Sequence, residues 1–138
     1  MSDETRTRFL GAIARQIPAD RVIEVHLFAA IRQGGMESGV AVVALEREMD
    51  ASIVVHDQPA VQQPASRYTV YSARYRYTLK GLDRGKWEVS VTEEADAPLL
   101  TVDAVVRGVQ RRSGDEDEVL RLSGDEFRAA LPTALPVA

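Results

Sequence analysis

The sequence predicts an α+β fold, with an N-terminal helix packed on a twisted, mainly antiparallel sheet of about five strands and a smaller C-terminal α/β segment. Three patterns support this prediction: helical spacing of apolar residues in 3–17, and alternation of apolar and polar residues in 21–33 and in 68–94. Apolar residues three or four positions apart share one side of a helix, whereas alternating residues share one face of a strand. Turn residues separate these segments, which is typical of a helix followed by hairpin-connected strands.

Residues 3–17 are predicted to form the first helix. Phe9, Ile13 and Ile17 recur at intervals of four residues and make an apolar stripe. Asp3 suits the first turn, where the helix dipole favours negative charge. Pro18 is expected to end the helix, because its ring clashes with the preceding turn.

Residues 21–33 are predicted to form one long strand, because apolar side chains occupy every second position. One face would carry Ile23, Val25, Leu27, Ala29 and Ile31, and the other Glu24, His26, Phe28, Ala30 and Arg32. The glycine-rich segment 33–39 is expected to be a wide turn whose glycines adopt positive φ. Apolar runs then predict strands at 40–45 and 53–55, followed by a proline-flanked loop at 59–64.

Residues 68–94 predict a hairpin whose turn lies at 81–85. Its apolar face would carry Tyr71, Ala73, Tyr75, Tyr77, Leu79, Trp87, Val89 and Val91. The opposite face, which includes Arg74 and Arg76, is polar and should lie in water. Aromatic and β-branched residues on one face are typical of a half-buried antiparallel pair.

Residues 100–112 fit either a helix or a strand. As a helix, the segment places Val102, Val105, Val106 and Val109 on one side, with Thr101 as the N-cap and Gly114 after its last turn. As a strand, it is favoured by the β-branched valines and by Gly108. The helix is the preferred prediction, because signals for both of its ends are present.

The remaining C-terminal residues predict a short strand at 119–122 and then a helix. Ser123 and Glu126 have the spacing of a capping box, which marks a helix start. The same four letters at 113–116 are interpreted as an acidic turn. Residues 132–138 are expected to be a flexible tail, so that 1–131 form a single α+β domain.

Composition narrows the classes of function. The chain has 138 residues, a formal net charge of −4 and no cysteine. The negative charge argues against nucleic-acid binding, and the missing thiols exclude disulfides and cysteine nucleophiles. Without an apolar run of about 20 residues we expect no membrane span, and a cytoplasmic protein is the default. No motif indicates a metal or another cofactor, so we expect none.

His26 and His56 are the candidates for acid–base chemistry, because histidine titrates near neutral pH. If their strands were neighbours, both could meet Glu24 and Asp57 as a proton-transfer pair or as metal ligands. An ordinary half-buried histidine is the simpler interpretation. Arg32 lies beside the glycine-rich segment 33–39, whose amides could bind an anion, although a turn explains the glycines more simply.

Tyr75, Tyr77 and Trp87 form an aromatic group on one strand face. Such a group can line a pocket for a small apolar ligand. Packing against the first helix is the more common role and is preferred here. These three residues, with His26, His56 and Arg32, are therefore the candidate ligand-binding residues.

The first predicted function is a non-catalytic binding or adaptor module that acts as a homodimer. One helix covers one sheet face, whereas Phe28, Val40 and Val42 suggest a second apolar face that a twofold partner would cover. The missing catalytic constellations favour binding, and an apolar or anionic small ligand is the expected partner.

Two alternatives remain open. The layout of a helix wrapped by a sheet resembles that of cystatin-like and nuclear-transport-factor-like domains, and this resemblance implies a cone that binds a small molecule. Such a cone could be an enzyme that uses His26 or His56 as the acid–base group. The size and net negative charge would also suit an acidic chaperone for a protein partner.

Overall fold

The computed structural model describes residues 2–47, 68–97, 99–114 and 118–131. In chain order the elements are α1 (Asp3–Gln16), a 3-10 turn (Ala19–Arg21), β1 (Val22–Phe28), β2 (Ile31–Gln33), β3 (Met36–Glu46), β4 (Tyr68–Thr78), β5 (Trp87–Ala97), α2 (Leu99–Arg112), β6 (Glu118–Ser123) and α3 (Gly124–Ala129). The predicted strand at 53–55, the loop at 59–64, His56 and the tail at 132–138 lie outside the described residues.

The strands form one antiparallel sheet in the order β5-β4-β3-β1-β6, and β2 pairs with β3 beside β1. This confirms the α+β class, the N-terminal helix and the small C-terminal strand and helix. The sheet has six strands among the described residues, against about five expected.

The predicted long strand at 21–33 is wrong in one respect, because the structure divides it into β1 and β2. Leu27 pairs with Ala41 and Ile31 pairs with Ser38. The two paired positions are therefore four residues apart between β1 and β2 but only three residues apart on β3, so one residue is additional. The additional residue turns all later side chains to the opposite face, since the side-chain period of a strand is two. The alternation of the sequence predicts that Arg32 and His26 share one face of the sheet. In the structure they lie on opposite faces.

The glycine-rich turn is also shorter than predicted. Gln33 pairs with Met36, so that only Gly34 and Gly35 connect β2 to β3. Both residues have positive φ, 62° and 76°, which a two-residue hairpin turn of this kind requires. The expected wide turn at 33–39 is wrong because residues from Met36 onwards already belong to β3.

One face of the sheet packs against α1 and α3. Its buried aromatic and aliphatic residues include Phe9, Leu10, Ile13, Val25, Leu27, Ala73, Tyr75, Leu122 and Phe127. The predicted two faces of the aromatic hairpin are confirmed, because Tyr75 is fully buried whereas Arg74 and Arg76 are exposed. The ring of Phe9 meets that of Tyr75 edge-on, with 4.7 Å between the ring centroids.

The other face of the sheet packs against α2. Its buried residues are Phe28, Val40, Val42, Ala44, Val70, Val102, Val106 and Val109. The preferred helix at 100–112 is therefore confirmed, and Gly114 has the expected positive φ of 71°. The expected N-cap at Thr101 is wrong, because the helix begins at Leu99. Since α2 covers the face that was expected to be open, that face no longer supports a homodimer.

The capping box at the start of α3 is confirmed. Glu126 donates its backbone N–H to Ser123 Oγ, and Ser123 donates its own to Glu126 Oε1, each over 3.1 Å. Gly124 lets this helix approach β1 closely, because a Cβ at that position would collide with the carbonyl oxygen of Val22. Arg128 also donates hydrogen bonds to the carbonyls of Ala19 and Val22. These bonds connect α3 to the 3-10 turn and to the start of β1.

Candidate functional site

A groove of about 850 Å³ lies between α1 and the strand β5. The helix contributes Thr7, Arg8, Gly11, Ala12 and Arg15, with Asp3 and Glu4 at the N-terminal end, and the strand contributes Trp87 and Val89. This volume lies within the range typical of sites for small ligands.

The helical repeat explains the helix wall of the groove. Glu4, Arg8, Gly11 and Arg15 are three or four residues apart, so they lie on one flank of α1 next to its buried face. Gly11 and Ala12 have the smallest side chains on this flank, and they leave room between the helix and the sheet.

The strand wall follows from the period of two. Trp87 and Val89 alternate with exposed Glu88 and Ser90, so both apolar side chains face α1. Because β5 is at the edge of the described sheet, α1 covers these side chains only in part, and both remain half-buried.

Trp87 is held between rings and a cation. Its indole stacks on Tyr77 with ring centroids 4.8 Å apart, and it also contacts Tyr75 at 5.2 Å. On the groove side, the Arg8 guanidinium carbon lies 5.2 Å from the indole centroid, a cation–π contact. The indole therefore forms a fixed aromatic wall. Its Nε1 atom is buried and, among the described residues, has no hydrogen-bond partner.

The charges of the groove differ along its length. Asp3 forms an ion pair with Arg6 over 3.0 Å, and Glu4 lies one turn before Arg8. Arg15 is exposed in the last turn of α1 and makes no ion pair within the described ranges. One end of the groove thus carries carboxylates, and the other end carries a guanidinium that has no ion-pair partner among the described residues.

Behind the aromatic wall lies a buried polar pair. The Tyr75 hydroxyl donates a hydrogen bond to Glu37 Oε1 over 2.8 Å, and Arg32 lies 3.4 Å from Glu37 Oε2. Burial, the hydrogen bond to Glu37 and the negative charge of that carboxylate raise the pKa of Tyr75 well above its usual value. Arg32 therefore neutralises a buried carboxylate and does not line the groove.

His26 belongs to a separate polar cluster on the face that α2 covers. Its Nδ1 atom lies 3.0 Å from Glu118 Oε1, and its Nε2 atom lies 3.2 Å from Glu24 Oε1. The second contact is not aligned as a hydrogen bond. Burial raises the pKa of Glu24, but the hydrogen bond from Arg121 and the close approach of the His26 ring outweigh burial and leave that pKa below its usual range.

The cluster around His26 is a closed structural arrangement. The imidazole is 3% exposed, and Arg121 Nη2 lies 2.7 Å from Glu24 Oε2. Because His26 does not line the groove, a ligand bound there would not reach it. No group of three or more histidine and carboxylate side chains suited to a metal ion occurs in the part of the chain that the structure describes.

The structure describes five of the six predicted site residues, and it does not bring these five together in one site. Trp87 lines the groove, Tyr77 lines a small adjoining cleft and Tyr75 is buried behind them. Arg32 and His26 lie elsewhere, and His56 is outside the described residues. Sequence reasoning missed the helix wall, although the spacing of Glu4, Arg8, Gly11 and Arg15 marks one flank of the predicted helix.

Comparison with known proteins identifies no relative: no protein-family model, curated protein or solved structure matches this chain. The resemblance to cystatin-like and nuclear-transport-factor-like domains therefore gains no support from known structures. Within the described residues, none of the helices is both long and apolar enough to cross a membrane.

Proposed function

We propose that the protein is a non-catalytic binding module that holds a small, largely apolar ligand in the groove between α1 and β5. The observation that carries this proposal is the partly open aromatic wall of Trp87, stacked on Tyr77 and capped by Arg8. A rigid aromatic surface loses little conformational entropy when a ligand covers it.

The composition of the groove favours binding over catalysis. Its described lining has no histidine, and within the described residues the Thr7 hydroxyl makes no hydrogen bond to a base that would activate it as a nucleophile. His26, the acid–base candidate of the enzyme alternative, is buried between Glu24 and Glu118. The geometry therefore supports the binding module better than an enzyme based on His26.

Self-association and a cytoplasmic location stay predictions from the sequence. A homodimer would need a surface other than the one covered by α2. Light scattering over a range of protein concentrations measures this directly, and a monomer at every concentration would contradict the dimer.

The groove can be tested by nuclear magnetic resonance, because Trp87 is the only tryptophan and provides a single indole N–H signal. We expect 4-butylbenzyl alcohol, a neutral apolar probe, to shift this signal in a saturable manner. Ala12→Leu should abolish the shift, because the larger side chain occupies the groove while helix propensity changes little.

Gln16→Leu is the matched control, since Gln16 is exposed on the same helix but does not line the groove. It should bind the probe as the unmodified protein does. An indole signal that no apolar probe shifts, or Ala12→Leu binding with unchanged affinity, would refute the proposed site.

A further inference from the structure

We infer that the ligand of this groove carries a carboxylate, which binds the guanidinium of Arg15 while the apolar part of the ligand covers Trp87 and Val89. The inference rests on the proposed function and specifies the chemical class of its ligand. It follows from the distribution of charge along the groove, from the contacts of its two arginines and from the character of the strand β5.

The charge distribution separates an acidic end from a basic end. Glu4 and Arg15 are eleven residues apart, which corresponds to about 16 Å along a helix. Glu4 lies one turn from Arg8 and offsets part of its charge, whereas the positions one turn before Arg15 are Gly11 and Ala12. An anionic group is therefore best accommodated at the Arg15 end.

The two arginines have different roles. Arg8 holds its guanidinium over the ring of Trp87, with 5.2 Å between the guanidinium carbon and the ring centroid, so its charge is directed at the aromatic wall. Arg15 makes no ion pair with any described residue, and its N–H donors are accessible to solvent. A guanidinium binds a carboxylate through two parallel hydrogen bonds, which also orient the ligand.

A small ligand fits better than an added peptide strand. The edge of β5 carries Glu88, Glu93 and Glu94, and the register shifts where β5 passes Val70 and Tyr71. Charged residues and bulges are features by which edge strands avoid pairing with another chain. The groove offers a small ligand the aromatic wall without requiring backbone pairing along this edge.

The experiment compares two probes of the same shape, 4-butylbenzoate and 4-butylbenzyl alcohol, by titration of the Trp87 indole signal. We expect the carboxylate to bind about tenfold more tightly, as a charge-assisted pair at a partly exposed site allows. Arg15→Gln should remove this difference, and the ratio of the two affinities measured in the same variant is the readout, so that a change common to both probes does not affect it.

Arg111→Gln is the matched control. Arg111 is also an exposed arginine in the last turn of a helix, but α2 lies on the opposite face of the sheet. Like Arg15→Gln, the substitution Arg111→Gln removes one positive charge and its favourable interaction with the C-terminal end of a helix dipole. The control should retain the tenfold preference for the carboxylate. Thermal unfolding of both variants checks that each is folded.

The outcomes separate the inference from the proposed function. Equal affinity for both probes would overturn the carboxylate while the binding groove stands. A preference that survives Arg15→Gln would overturn the assignment to Arg15. If neither probe shifts the indole signal, both the groove and the inference fail. Binding of an extended peptide with slowed exchange of the β5 amides, and of neither probe, would replace the small ligand by an added strand.

Discussion

The two faces of the sheet are packed by different kinds of side chain. The α2 face is packed mainly by small aliphatic residues, together with the buried ring of Phe28, and its valines include Val42, Val70, Val102, Val106 and Val109. The α1 face combines aromatic rings with a buried carboxylate, Glu37, and it stays partly open at Trp87 and Val89.

This difference shows how a groove arises in a small domain. Short β-branched side chains let a helix approach a sheet closely, so little space remains between them. On the α1 face the side chains next to the groove differ strongly in size, because Trp87 is a large ring whereas Gly11 and Ala12 are small and do not fill the space beside it. The groove is therefore a consequence of which residues pack on each face.

The largest expected effect contrasts the two cores. Phe9→Ala should lower the free energy of unfolding by about 3–5 kcal/mol, because it removes a fully buried ring in contact with Tyr75. Val106→Ala should cost about 1–2 kcal/mol, because fewer buried carbons are lost from the valine layer. Urea unfolding measures both values, and equal losses would show that the two faces do not differ as described.

The second prediction concerns the buried polar pair of the α1 face. Tyr75→Phe leaves Glu37 Oε1 without its hydrogen-bond donor and should destabilise the protein by about 1–3 kcal/mol at neutral pH. Tyr77→Phe is the control, because the Tyr77 ring stacks on Trp87 and is only half-buried. Its effect should be below that of Tyr75→Phe.

The destabilisation caused by Tyr75→Phe should also depend on pH, in a direction that the pKa of Tyr75 determines. The pKa of Tyr75 is raised in the folded state, so above about pH 10 the unfolded chain loses this proton first. The contribution of the Tyr75 hydroxyl to the free energy of unfolding is thus fully present below about pH 10, and it is lost as the pH rises further. The difference between the unmodified protein and Tyr75→Phe should narrow above pH 10 in thermal unfolding. A constant difference would contradict it.

The elements with strong local patterns could be predicted from the sequence. The stripe of Phe9 and Ile13, the alternation around Tyr75 and the capping box at Ser123 each depend on neighbouring residues alone. The same is true of the turn glycines, although their loop was expected to be longer. Local periodicity thus identifies the α1 face and one wall of the groove.

Features that depend on pairing between distant residues could not be predicted. The additional residue between Leu27 and Ile31 appears only when both segments are aligned on β3, and it places Arg32 beside Glu37. The apolar stripe of α2 indicates that one side of this helix is buried, but it does not specify which face of the sheet the helix covers. The need for glycine at position 124 likewise becomes evident only in the folded structure, where α3 lies against Val22.

The smallest expected effect compares the two serines that share the sequence Ser-Gly-Asp-Glu, one on each side of the sheet. Ser123 caps α3, which packs on the α1 face through Phe127, and its side chain satisfies an otherwise unpaired amide of the first turn. Ser113 follows α2 and only returns a hydrogen bond to the carbonyl of Val109, over 2.9 Å.

Ser123→Ala should therefore lower the free energy of unfolding by about 1 kcal/mol, the usual cost of losing an N-cap. Ser113→Ala should change it by less than about 0.5 kcal/mol, because a carbonyl at the exposed end of a helix can bond to water instead. Both substitutions remove one hydroxyl, so their difference isolates the cap. If urea unfolding gives equal losses for the two substitutions, the free energy lost does not depend on the helix that follows Ser123. The role of Ser123 as an N-cap would then be contradicted.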